Sequence, residues 1–119
     1  LEAAKELGVT IIAYTPLASG LLSGKYHKNP ELLKKKSFIW RGRMQSRLEA
    51  SRPLVQAMEE IGGKYNATPA QVALNWVIHF HGDTIVTIPG ATKVRQAEES
   101  AEKDDQLHPA QVLGPVGGR

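Results

Sequence analysis

IIAYTPLASGLLSGKY at residues 11–26 and TIVTIPGATKVRQAEES at residues 84–100 decide how this chain is read. In each, a short apolar run rich in β-branched residues stops at a proline, and small and polar residues follow. The pattern predicts a buried strand that ends abruptly in a loop. In parallel α/β folds, ligands sit outside the carboxyl ends of the strands. Two such ends in one short chain predict a ligand site there. The second end opens directly into a helix, whose free N–H groups and positive dipole end suit phosphate.

Outward from these stretches, helices are predicted on either side. LEAAKEL at residues 1–7 reads as the tail of a helix capped by Gly8. The first strand is predicted over residues 9–14. Residues 18–28 read as a loop with Gly20 and Gly24 as flexible points. Residues 29–51 are polar and basic with little periodicity and predict a long loop, anchored by Phe38, Ile39, Trp40 and Met44. A helix is then predicted from Pro53 at its first position, with Leu54, Met58 and Ile61 on one face and an end near Gly62-Gly63. In TPAQVALNW, residues 68–76, Thr68 is the expected N-cap, Pro69 the first helical residue and Gln71 the third, a capping box. Ala70, Ala73, Leu74, Val77 and Ile78 form the stripe of that helix. Gly82-Asp83 predicts a turn, residues 84–88 the second strand, and Thr92 the cap of a last helix whose Val94, Ala97 and Ala101 share a face. Strands alternating with helices predict a parallel sheet. Two strands alone leave sheet edges unpaired and make a poor independent domain, so the expected architecture is a slice of a larger barrel or sheet, with oligomers possible.

The totals narrow the function classes. The chain has 119 residues, 41% hydrophobic and 23% charged, ordinary for a single globular domain. Cysteine is absent, which excludes disulfide and thiol chemistry and fits the cytoplasm. No apolar run reaches membrane-spanning length, and no membrane partner is expected. Net charge is +3 with a pI near 9.3, and Lys34, Lys35, Lys36, Arg41, Arg43 and Arg47 form the core of a basic patch. Such a patch attracts an anionic ligand or simply keeps a loop solvated, and the solvated loop is the preferred reading. No groove-reading helix motif accompanies it, so nucleic acid is not expected. There is no initiator Met, and the chain is expected to begin inside a larger domain. Residues 103–119, ending HPAQVLGPVGGR, have the composition of an irregular tail.

YTPLASGLLSGKY, TPAQVALNW and IPGATKVRQAEES, in this order and at this spacing, resemble the aldo-keto reductases over residues 1–102. These are barrel enzymes that reduce carbonyls with a nicotinamide cofactor, usually NADPH. The resemblance implies an α/β fold, specifically the last two strand–helix units of a (β/α)8 TIM barrel, here its C-terminal part, with NADP(H) as cofactor and a small aldehyde or ketone as substrate of the complete protein. It implies that Tyr14 stacks on the nicotinamide ring. Thr15, Pro16, Leu17, Ser19 and Gly20 would line the pyrophosphate passage, with Lys25 at its edge. Pro89, Gly90, Ala91 and Thr92 would hold the adenosine phosphate end, and Lys93, Gln96, Glu99 and Ser100 would surround the ribose phosphate and adenine. The family usually reads Glu-Asn where this chain has Glu99-Ser100, which removes a carboxamide. The family's catalytic Asp, Tyr, Lys and His belong to earlier strands, and no residue here matches them, so the chain alone is expected to be inactive. A second reading is a nucleotide- and protein-binding subunit on the same scaffold, like the β subunits of voltage-gated potassium channels, which carry a similar segment.

Blander roles stand beside these. Tyr14 by position alone would pack in the core with its hydroxyl at the rim. Lys93 and Arg95 sit where the helix dipole disfavours cations, so they are either a solvated surface or partners of an anion. The resemblance favours the anion for Lys93 and leaves Arg95 balanced. Pro89-Gly90 could be a strand stop and no more. His79 and His81 are expected to be structural, since a metal site needs a further ligand nearby. Trp40 and Trp76 are expected to pack, Trp40 less firmly because its segment could approach a substrate. Glu98, Glu99, Asp104 and Asp105 read as solvated carboxylates.

Overall fold

A computed structural model describes residues 1–102. The irregular tail read at 103–119 and the Asp104-Asp105 pair lie outside the described residues. Helix α1 (Glu2–Glu6) is closed by Gly8, which takes a left-handed φ of 64°. Strand β1 (Ile11–Tyr14) follows, shorter at its start than the apolar run. A 3₁₀ turn (Leu21–Ser23), helix α2 (Lys25–Lys28) and a second 3₁₀ segment (Pro30–Lys35) lead into the long helix α3 (Phe38–Tyr65). Helix α4 (Pro69–His79), a 3₁₀ turn (Gly82–Thr84), strand β2 (Ile85–Ile88) and helix α5 (Val94–Ala101) complete the order.

The strands pair in parallel with Ile11 opposite Ile85 and Tyr14 opposite Ile88. This register brings both carboxyl ends level, so Thr15 and Pro89 leave the sheet side by side. Ile11, Ala13, Ile85 and Thr87 are half-buried on the face that α4 covers. Ile12, Tyr14, Val86 and Ile88 line the other face and are 64%, 77%, 47% and 56% exposed. Burial on both faces, expected for parallel strands, is therefore met on one face only. Tyr14 does not pack in a core, because no described residue covers its side of the sheet.

The core lies among the helices and the loop after β1. One cluster joins Leu21, Tyr26, Leu33, Met44 and Leu48, with Ala18, Leu32 and Trp40 half-buried against it. The other joins Val55, Met58, Val72 and Ala73, with Leu17, Leu22, Ile61 and Ala67 against it. The loop after β1 thus sends Leu17 and Leu22 into one core and Ala18, Leu21 and Tyr26 into the other.

Helix α3 corrects four expectations. Residues 38–51 are helical rather than loop, and Pro53 lies inside the 28-residue helix rather than at its start. Met44, Leu48, Val55, Met58 and Gly62 are buried at helical spacing, and this stripe crosses the proline. Pro53 leaves the carbonyl one turn earlier without its helical donor, a loss that matters less because the ring is on the solvent side. The buried face contains Val55, and Leu54, expected inside, is 53% exposed. The helix runs past Gly62-Gly63 and stops at Asn66, in left-handed conformation at φ 51°. Within α3, Arg52 donates to Glu49 at 2.9 Å, and that bond holds the Glu49 carboxyl below its usual range. Whatever the pair contributes is present above the unfolded carboxylate pKa and is lost as pH falls through the lowered folded value. Both groups are exposed, so the contribution is small.

Helix α4 matches its capping box. Thr68 Oγ1 accepts from the Gln71 amide at 3.2 Å, and Gln71 Oε1 accepts from the Thr68 amide at 2.9 Å. Ala70, Ala73 and Leu74 are buried and Val77 and Ile78 half-buried, as its stripe predicts. In α5, by contrast, Val94, Ala97 and Ala101 are exposed.

Two neighbouring glycines in α3 separate packing from propensity. A Cβ on Gly62 would press into the Ala67 carbonyl, which closes the helix end through Ala67 N–H to Gly62 O at 2.8 Å. Gly63 faces open space. Gly62→Ala should lower the thermal midpoint by roughly 5–15 °C. Gly63→Ala should raise it by about 2–6 °C. Calorimetry of the two variants checks both signs.

Candidate functional site

The level strand ends create a cleft of about 810 Å3. Its walls are the loop after β1, the start of α4, the loop after β2 and the near side of α5. Thr15, Pro16, Leu17, Ser19, Gly20, Lys25, Pro89, Gly90, Ala91, Thr92, Gln96, Glu99 and Ser100 all line it. Two sequence-predicted residues do not. Tyr14 stands just below, on the open face of the sheet. Lys93 lines an adjoining cleft of about 540 Å3, together with Lys25, Tyr26, Leu32, Lys35, Lys36, Arg95 and Gln96.

The loop after β1 is held in an uncommon conformation. Thr15, Ala18 and Ser19 have φ of 47°, 50° and 57°, a region that costs a non-glycine residue of order 1–3 kcal/mol. Short-range bonds hold it: Ala18 N–H to Thr15 O at 2.9 Å, Gly20 N–H to Leu17 O at 3.0 Å, and Ser23 Oγ to Gly20 O at 2.6 Å. Burial of side chains in two cores adds to these. Gly20, at φ 87°, also lets Lys25 lie across the loop, since a Cβ there would stand 3.0 Å from Lys25 Cε. Lys25 Nζ rests 4.9 Å from the Tyr26 ring centroid.

The expected cap of α5 is revised. Lys93, not Thr92, is the backbone N-cap, and a lysine has no acceptor to offer the helix. Gln96 supplies it by reaching back, its Oε1 accepting from the Thr92 amide at 2.8 Å and the Lys93 amide at 3.2 Å. Glu99 is not simply solvated. Its Oε1 accepts from Thr68 Oγ1 at 2.7 Å, and its backbone oxygen accepts from Gln71 Nε2 at 2.9 Å.

Charge around the clefts is strongly one-sided. Lys25, Lys28, Lys36 and Arg95 line the larger, with Glu99 as its one carboxylate among the described residues. Lys25, Lys35, Lys36, Lys93 and Arg95 line the smaller, with no carboxylate among the described residues. Lys28 is paired with Glu59 at 3.2 Å. The site can therefore hold an extended anion, with the loop backbone along one side and Lys25, Lys36 and Arg95 where the two clefts adjoin.

Several lining residues escaped the sequence reading. Arg95, which the sequence leaves balanced between solvent and an anion, lines both clefts. Lys35 and Lys36 belong to the run read as solvated loop, and the 3₁₀ segment carries them to the site. Trp40 lines the larger cleft while meeting Tyr26 edge-on, centroids 5.6 Å apart. Thr68, Pro69 and Ala70 were legible as a helix start, but nothing local reveals that this start abuts α5. Trp76 stacks on Phe80 at 4.6 Å and His81 meets Phe80 edge-on at 4.7 Å, an aromatic group at the end of α4. Among the described residues, no group of three His, Cys, Asp or Glu could hold a metal ion.

Comparison with known proteins accords with this arrangement. The chain is 40% identical over 105 residues to aldo-keto reductase str7 of Strobilurus tenacellus, covering 84% of this chain and 30% of that protein. It is 32% identical over 128 residues to probable aldo-keto reductase 1 of Glycine max, covering 96% of this chain and 35% of that one. It is 32% identical over 102 residues to aldo-keto reductase yakc of Schizosaccharomyces pombe, named for NADP(+), covering 84% and 29%. The chain spans about a third of the length of these relatives. The family model described as Aldo/keto reductase family matches residues 1–111, beyond the limit of 102 set by the motifs. With a family match along nearly the whole chain, and with its three motifs on one strand-end cleft and the helices that border it, this chain belongs to the aldo/keto reductase family.

Proposed function

We propose that this chain is the cofactor-binding part of an NADP(H)-dependent carbonyl reductase, with β1 and β2 as the last two strands of a (β/α)8 barrel. The observation that carries the proposal is the register. Both motif-bearing loops leave the sheet side by side and share one cleft that Lys25, Lys28, Lys36 and Arg95 also line. The bound nicotinamide would supply hydride to an aldehyde or ketone. The chain's own residues would bind and orient. Tyr14, exposed at the end of β1, would offer its ring to the nicotinamide. The loop from Thr15 to Lys25 would run along the pyrophosphate, and Pro89 to Thr92 would hold the adenosine end. Lys93 and Arg95 would take the ribose phosphate.

Proton donation is assigned to none of these residues, so the isolated chain should not oxidise NADPH in the presence of a reactive aldehyde. Turnover above a buffer blank would overturn that.

Phosphate recognition is tested at α5. Lys93→Ala and Arg95→Ala should each weaken NADPH by roughly tenfold or more, the loss of one charge-assisted bond. NADH lacks the phosphate and should respond little. Fluorescence titration with both cofactors decides this: equal losses for NADH and NADPH, or no loss for either, would place the phosphate elsewhere.

The strained loop makes a separate prediction. Ser19 is exposed at φ 57°, where glycine has no Cβ penalty. Ser19→Gly should raise stability by about 1 kcal/mol while weakening NADPH, because a looser loop is less preorganised. A gain in both stability and affinity would show that the conformation serves no ligand.

A further inference from the structure

Helix α5 borders both clefts, yet it has no buried residue, and Val94 in its first turn is 75% exposed. Apolar packing therefore does little to set its position among the described residues. The polar links that do so converge on Glu99. Thr68 Oγ1 donates to Glu99 Oε1 at 2.7 Å, and Gln71 Nε2 donates to the Glu99 carbonyl at 2.9 Å. Both donors belong to the capping box of α4, and Gln71 is only 6% exposed.

We infer that Gln71, with Thr68, is a positioning residue that holds α5 at the edge of the cofactor cleft, and that this second task is why a carboxamide stands at the third position of α4. A capping box accepts Glu or Gln equally, because only a side-chain oxygen is needed for the backward bond. Gln71 uses its oxygen for the Thr68 amide at 2.9 Å, and its nitrogen remains for the Glu99 carbonyl. The partners settle the orientation of the amide, since a carbonyl must meet the NH2 and an N–H must meet the oxygen. A carboxylate could perform the first task and not the second. Thr68 is similarly divided, accepting from the Gln71 amide and donating to Glu99. The start of α4 is anchored in a core through Val72 and Ala73, so the link transmits the position of a packed helix to an unpacked one.

The consequence for cofactor binding rests on the proposed function above, and the experiment keeps the two apart. Gln71→Glu preserves the cap of α4 and removes the donor to Glu99. Hydrogen exchange on the full chain should show amides 96–101 exchanging about fivefold faster or more, with amides 72–79 at the parent rate. The NADPH dissociation constant should rise by a similar factor. Thr68→Ser keeps both hydroxyl bonds and should retain parent exchange in α5, whereas Thr68→Val should lose it. Unchanged α5 exchange in Gln71→Glu, or equal loosening of α4 and α5, would overturn the inference. So would faster exchange with NADPH affinity unaltered. A parent chain that binds no NADPH would count against the cofactor reading alone, and the exchange comparison would still judge the link.

Discussion

The parallel register of β1 and β2 is the constraint on which the site depends. Ile11 opposite Ile85 brings Tyr14 opposite Ile88, so both strands end at one level. A shift of one residue would turn every side chain to the other face and separate the loops that follow. A parallel pair also needs a long crossover, and here residues 15–84 provide it, bringing α4 over one face of the sheet with α3 packed on α4. The site arises where the crossover departs and where β2 ends.

The loop after β1 shows how such a crossover can hold a strained backbone. Three non-glycine residues take left-handed angles within five positions, while five apolar side chains from the same segment enter two separate cores. Burying a side chain such as Leu is worth about 1.5–3 kcal/mol, comparable to the cost of one strained residue. The backbone is therefore pinned from both sides, with its polar groups left along the cleft. At the opposite wall the means are different. Helix α5 is held by hydrogen bonds to Glu99 and by Gln96 turned back on its own first turn. One wall of the cleft is set by apolar burial and the other by polar geometry.

Charge completes the picture without contributing to the fold. The cations that converge on the clefts come from α2, the second 3₁₀ segment that follows it, and the distant start of α5. Like charges gathered in this way favour an anionic ligand over a cationic one. The basic run at 34–36 thus has a different meaning in space from the one its composition conveys, since Lys34 pairs outward with Glu31 at 2.8 Å while Lys35 and Lys36 line the clefts.

Much of this was legible in the residues. The two apolar runs stopped by proline, the glycine after α1 and the Thr68–Gln71 capping box are local chemistry, and they appear where their residue types demand. The three motifs pointed to the family, and most residues they nominated share one cleft. Other features were not local. Pro53 reads as a helix start because its missing N–H suits a first turn, and it became interior because Met44 and Leu48 on one side and Val55 and Met58 on the other bury a continuous stripe. Tyr14 by position alone reads as buried because strands of this composition usually are, and it is exposed because burial depends on what covers a face. Glu99 reads as a solvated carboxylate, and its bonds to Thr68 and Gln71 come from the start of α4, 28–31 positions away. The sequence by itself determined the elements' local signals, their order and the polar residues at the strand ends. Tertiary structure alone decided which of those residues meet, because register, helix length and helix docking are set by contacts between segments that no local pattern encodes.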